Sequence, residues 1–184
     1  MSGMNRFIME AQMNKRHVVL ADLSDLFYGW KSERQRAGLD DRARIDFETL
    51  VEVVSDGVGP PAQLLGLTAE PASAAAAKFI HGLVSRGWDI RLMKGGKPSW
   101  TVDVAYHLGS LVSAGGLQTI TLISSGRSLR ESLASFSGES DQLTLRLAFF
   151  GADIVPVAQN LIDSGRVEFL NLSNHYPKLV GNNS

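Results

Sequence analysis

His17-Val18-Val19-Leu20-Ala21 is an apolar run rich in β-branched residues, bounded by Lys15-Arg16 before it and by an acid, Asp22, directly after it. A strand with no polar alternation must be covered on both faces. Such strands belong to parallel sheets sandwiched between helices. In open α/β sheets, ligands bind in the crevice beyond the carboxyl ends of the strands. Asp22 is therefore the first candidate site residue.

The rest of the chain alternates in the same way. Leu26, Phe27 and Trp30 at helical spacing predict a helix over 23–31, and Asp46 is placed to cap a second helix over 47–54. The charged stretch 33–44 reads as a solvated loop or helix end. Leu64-Leu65-Gly66-Leu67 marks a second strand, Pro71 to Arg86 a helix closed by Gly87, and Asp89 to Met93 a third strand. Lys94 to Ser99 reads as a basic loop, Val102 to Ser113 as a helix and Thr119 to Ile123 as the clearest buried strand. Helices are expected over 128–136 and 142–150, a strand over 153–157, a short helix over 159–163 and a last strand over 167–170. The pattern predicts a three-layer α/β/α domain with a mainly parallel central sheet. We expect one domain over 17–173, an N-terminal tail or arm over 1–16 and a C-terminal tail over 174–184.

Composition narrows the function classes. The 184 residues carry a net charge of −1, so no global positive field marks a nucleic-acid binder, although a local basic face is compatible with that value. Cysteine is absent, which removes disulfide and thiolate chemistry and makes a reducing, cytoplasmic setting the simplest expectation. No apolar run is long enough to span a bilayer, so no membrane association is expected. The four histidines show no metal spacing, and Gly95-Gly96-Lys97 is too short for a phosphate loop.

Asp22 follows the first strand, and Asp103 begins the helix after the basic loop. Carboxylates converging at strand ends can hold Mg²⁺ or Mn²⁺, because hard cations take oxygen ligands. Each acid also has a plainer role. Asp22 would cap the helix after it, Asp25 would sit favourably in that helix's first turn, and Asp103 would be an ordinary helix acid.

The run Val18-Val19-Leu20-Ala21-Asp22-Leu23-Ser24-Asp25, with Arg44 to Leu50, Gly87-Trp88-Asp89-Ile90-Arg91-Leu92, Lys97 to Ala105 and Thr119 to Gly126, resembles the NYN domains of the PIN-like nuclease superfamily in motif order and spacing over roughly residues 17 to 170. That resemblance implies a PIN/NYN-like fold and a metal-dependent endoribonuclease acting on RNA, with Asp22 and Asp103 as Mg²⁺ or Mn²⁺ ligands. Two positions depart from the family. Asp25 stands where Asn is usual. Ser125-Gly126-Arg127-Ser128-Leu129 stands where the family has Ser-Gly-Asp and a further Asp.

Arg127 cannot ligate a metal. Ser137-Gly138-Glu139-Ser140-Asp141 repeats the lost motif, which makes Glu139 and Asp141 the candidates for the third corner, with Asp141 as the third catalytic acid; their plainer reading is a solvated loop and a cap. Lys94, Lys97 and Arg127 are the expected phosphate-binding residues, against a plain solvated edge. Trp88 and Trp100 are read as core before base-stacking platforms. The competing expectation is a catalytically inactive PIN-like module for RNA binding, protein–protein assembly or homo-oligomerisation, in which Arg127 pairs with Asp22 or Asp103. A doubly wound domain binding a phosphorylated ligand is a third reading, without a glycine fingerprint.

Overall fold

The structure, a computed structural model, describes residues 17–40, 43–93, 97–114, 116–127 and 143–181, with residues 97–101 described by their backbone alone. Six strands form one sheet: β1 (His17–Asp22), β2 (Gln63–Ala69), β3 (Trp88–Met93), β4 (Thr119–Ile123), β5 (Thr144–Phe149) and β6 (Glu168–Asn171). All pairs are parallel, in the order β3-β2-β1-β4-β5-β6. The order reverses between β1 and β4, so the crevice of a doubly wound sheet opens at the end of β1, beside Asp22.

Helices cover both faces. On one lie α1 (Leu23–Arg36), α2 (Phe47–Ser55) and α3 (Ala74–Val84), which bury Leu26, Leu50 and Leu83 against Val19, Ala21 and Ile123. On the other, α4 (Lys97–Ala114) and α5 (Pro156–Asp163) bury Val104, Leu108 and Ala158 against Leu20, Ile120 and Leu122. Successive residues of β1 and β4 feed opposite cores, and the polar members His17, Thr119 and Thr121 are themselves buried, with His17 and Thr121 bonded to each other. Asp22, Asp46 and Ser73 cap α1, α2 and α3 by accepting backbone N–H groups. Trp88 is core, edge-on to Phe47 at 5.9 Å.

At the opposite edge of the sheet His17 is buried. Its Nδ1 donates to the Gly59 carbonyl at 2.9 Å, so Nε2 accepts from the Thr121 hydroxyl at 2.9 Å. Burial lowers its pKa, and the ring holds the strand ends together as a neutral group.

Five expectations need correction. The helix expected over 142–150 is not formed by its described residues: Leu143, Leu145 and Leu147 alternate with Thr144 and Arg146, and Thr144–Phe149 forms the interior strand β5. The predicted strand over 153–157 is a 3-10 turn, Gly151–Asp153, leading into α5, whose first position Pro156 suits because its fixed φ is helical. The first helix runs on to Arg36, and the basic loop ends earlier, because α4 already begins at Lys97. Finally, residues 174–181 are no tail. Tyr176–Leu179 forms α6, Leu179 is fully buried, and Gly181 donates its N–H to the Arg44 carbonyl at 2.9 Å.

Gly29 sets how closely α1 approaches the sheet. A Cβ there would lie 2.5 Å from Phe149 Cζ and 2.9 Å from Phe150 Cδ2. Gly29→Ala gains ~1 kcal/mol of helix propensity but overpacks two ring contacts, a cost of about 1–3 kcal/mol. We expect net destabilisation of about 1 kcal/mol in urea titration. A stabilised variant would show that the rings yield freely.

Candidate functional site

The C-terminal ends of β1 and β4 lie side by side, with Ala21 opposite Ile123. Beyond them the chain turns twice. After β1 it enters α1 directly, with Asp22 as N-cap, and its Oδ1 accepts the Asp25 N–H at 3.0 Å. After β4 it runs through Ser124 and Ser125 to Gly126, whose φ of 85° turns the backbone away. Gly126 donates its N–H to Ser124 Oγ at 3.1 Å.

Asp25 clasps the two turns together. Its Oδ2 accepts from Ser124 Oγ at 2.8 Å, from the Ser125 N–H at 2.6 Å and from Ser125 Oγ at 2.7 Å. Both serines are buried, so these donors have exchanged water for one carboxylate oxygen. Ser125 also accepts, through its carbonyl, the Val155 N–H at 3.1 Å, which ties in the approach to α5.

Asp22 is 4% exposed. Burial raises its pKa from 3.8 to about 6. The N–H groups of Asp25 and Ser24 pull the other way, while the Asp25 carboxylate adds to the rise. A buried carboxyl with a raised pKa at a topological switch point is a candidate site residue.

The sequence-derived candidates divide. Asp22 and Asp25 stand together as described. Asp103 does not begin its helix; it lies in the second turn of α4, half-buried, and no hydrogen bond joins it to Asp22, Asp25 or Ser125 among the described residues. Arg127 is exposed at the mouth of the β4 turn and pairs with neither Asp22 nor Asp103 among the described residues, contrary to the expected ion pair. The reason is burial: Asp22 is enclosed beneath the turns, while Gly126 carries Arg127 outward.

Lys94, Glu139 and Asp141 lie outside the described residues, as does the Lys97 side chain. Asp141 was expected to lead into a helix. Instead Thr144, three residues on, begins β5 in register with Thr119. That is the N-terminal edge of the sheet, opposite Asp22. Ser124 was not singled out from sequence. The available signal was two serines in tandem directly after the clearest buried strand.

Among the described residues, Asp22 and Asp25 would supply at most two corners of a Mg²⁺ or Mn²⁺ site. Asp22 spends an oxygen on its cap, and Asp25 Oδ2 already accepts three hydrogen bonds. Among the described residues, no group of three or more His, Asp or Glu side chains is arranged to hold a metal. A strand-end surface with an exposed guanidinium can instead take up an anion.

A crystal structure of a protein of unknown function from Vibrio parahaemolyticus has the same fold, with a TM-score of 0.65 over 87% of this chain and 94% of that one, at 14% identity. No protein-family model and no curated protein sequence matches the chain. No helix among the described residues is long and apolar enough to cross a membrane.

Proposed function

We propose that this chain is a divergent PIN/NYN-like domain that binds RNA at the C-terminal edge of its sheet without cutting it. The observation that supports this reading is the Asp25 clasp. Three donors from the β4 turn converge on one carboxylate oxygen, so an acid beside Asp22 works as a structural tie. Where the resembled family follows Ser-Gly with a metal-binding acid, this chain carries Arg127, which is exposed. A guanidinium binds phosphate through paired N–H donors and never ligates a cation. The chemistry offered at this edge is therefore phosphate recognition.

The test is a labelled single-stranded RNA titrated with the full chain in Mg²⁺ and in Mn²⁺. We expect binding that weakens with salt, no cleavage above buffer, and affinity about tenfold lower in Arg127→Glu. Cleavage that disappears in Asp22→Asn would establish the ribonuclease instead. Absence of RNA binding would leave the assembly module as the surviving reading.

A further inference from the structure

A second concave surface lies away from the strand ends. α1, the N-terminal turn of α2 and the length of α3 enclose a groove of about 990 Å³, near the upper end for small-molecule pockets. Its floor is aromatic and small: Phe27 meets Phe79 edge-on at 5.0 Å, Phe79 meets Phe47 at 5.6 Å, and Ala75, Ala76 and Gly82 leave α3 low. Phe27 remains 40% exposed, unusual for a ring in a cluster that reaches the core.

The charge in the groove is unbalanced. Its two acids are committed: Asp46 accepts the Glu48 and Thr49 N–H groups as the cap of α2, and Glu48 pairs with Arg86 at 3.3 Å. Lys31 on α1 and Lys78 on α3 also line the groove, are exposed, and form no ion pair among the described residues. Lys31 lies one helical turn beyond Phe27 on the same face. Lys78 adjoins Phe79 on the facing helix.

We infer that this groove is a binding track for single-stranded nucleic acid, in which a base packs on Phe27 and the backbone phosphates run between Lys31 and Lys78. A partly exposed ring between unpaired cations is the arrangement that stacking proteins use, because every base offers a π face while the phosphates need only charge. The placement fits one continuous strand. α1 starts at the strand-end site, and five residues at a ~1.5 Å rise put Phe27 about 7 Å along the helix from Asp22. The inference rests on the RNA reading above and extends it to a second surface.

The experiment is fluorescence anisotropy of a labelled oligouridine of about ten nucleotides with the full chain. The variants are Lys31→Glu/Lys78→Glu and Phe27→Leu, which preserves apolar bulk. Melting temperature is measured alongside to confirm folding. We expect at least tenfold weaker binding and a shallower salt dependence in the double variant, and about tenfold weaker binding in Phe27→Leu at unchanged melting temperature. Binding lost in Arg127→Glu but unchanged in the groove variants would overturn the groove while leaving the RNA reading standing. No binding to the wild-type chain would remove both. If the double variant loses poly-glutamate binding while Phe27→Leu binds oligouridine normally, the groove accepts acidic polypeptide and the nucleic-acid assignment is wrong.

Discussion

Replacing Asp22 with Asn is expected to stabilise this protein at neutral pH. The carboxyl is buried, and its pKa stands at about 6 against an ordinary 3.8. Below the unfolded value both states hold the proton, and burial costs nothing extra through ionisation. Between the two values the folded state keeps a proton that the unfolded state has released. Above about pH 6 both are ionised, and the folded state carries the full penalty. The rise from 3.8 to about 6 corresponds to about 3 kcal/mol, an upper value for the gain. Asn remains a good N-cap, so the Asp25 N–H keeps its acceptor.

Urea titrations at several pH values should show Asn and wild type converging near pH 4 and separating by about 1–3 kcal/mol at pH 7.5. His17, whose lowered pKa makes stability fall as pH drops below 6.5, is common to both proteins and cancels in the difference. Equal stability at pH 7.5 would mean that Asp22 is not held in the buried, ionised state described. A residue whose removal stabilises the fold is retained for something other than stability, and this separates a site from a cap.

Asp25→Ala acts in the opposite direction. It strands the Ser125 N–H and two serine hydroxyls in a buried turn. The hydroxyls can turn toward other acceptors, but the backbone N–H cannot. At about 1–3 kcal/mol for each unsatisfied buried group, the expected loss is about 3 kcal/mol, or roughly 10 °C in melting temperature. Asp25→Asn retains one acceptor oxygen and should lose about half as much. Removing the Asp25 charge also lowers the pKa of Asp22, because that charge contributes to its rise. If Asp25 instead served chiefly as a metal ligand held against Asp22 at a repulsive cost, Asp25→Ala would be neutral or stabilising. Calorimetry of the two variants decides between a clasp and a ligand.

Local pattern carried much of the fold. The apolar run at 17–21 and the β-branched run at 119–123 announce buried strands, and the cap Asp46 forms as its residue type dictates. Pattern failed where two readings compete over a short window. Residues 142–150 hold enough leucine for a buried helix, and the alternation that makes them β5 matters only once β4 and β6 flank them. The element expected to follow Asp141 as a helix is therefore a strand; Asp141 itself lies outside the described residues.

The sequence by itself determined that Asp22 ends a buried parallel strand, because burial on both faces demands an unbroken apolar run and the first acid after it must fall at the carboxyl edge. Only the tertiary structure decided what meets Asp22 there. Ser124 and Ser125 lie about a hundred residues from Asp25 and reach it because β1 and β4 are neighbours across the switch point. Asp103, whose spacing looked equally suitable, entered the second turn of α4 without a bond to them. Which carboxylates meet is a property of strand order and helix phase, and neither is written in the residues around any one acid.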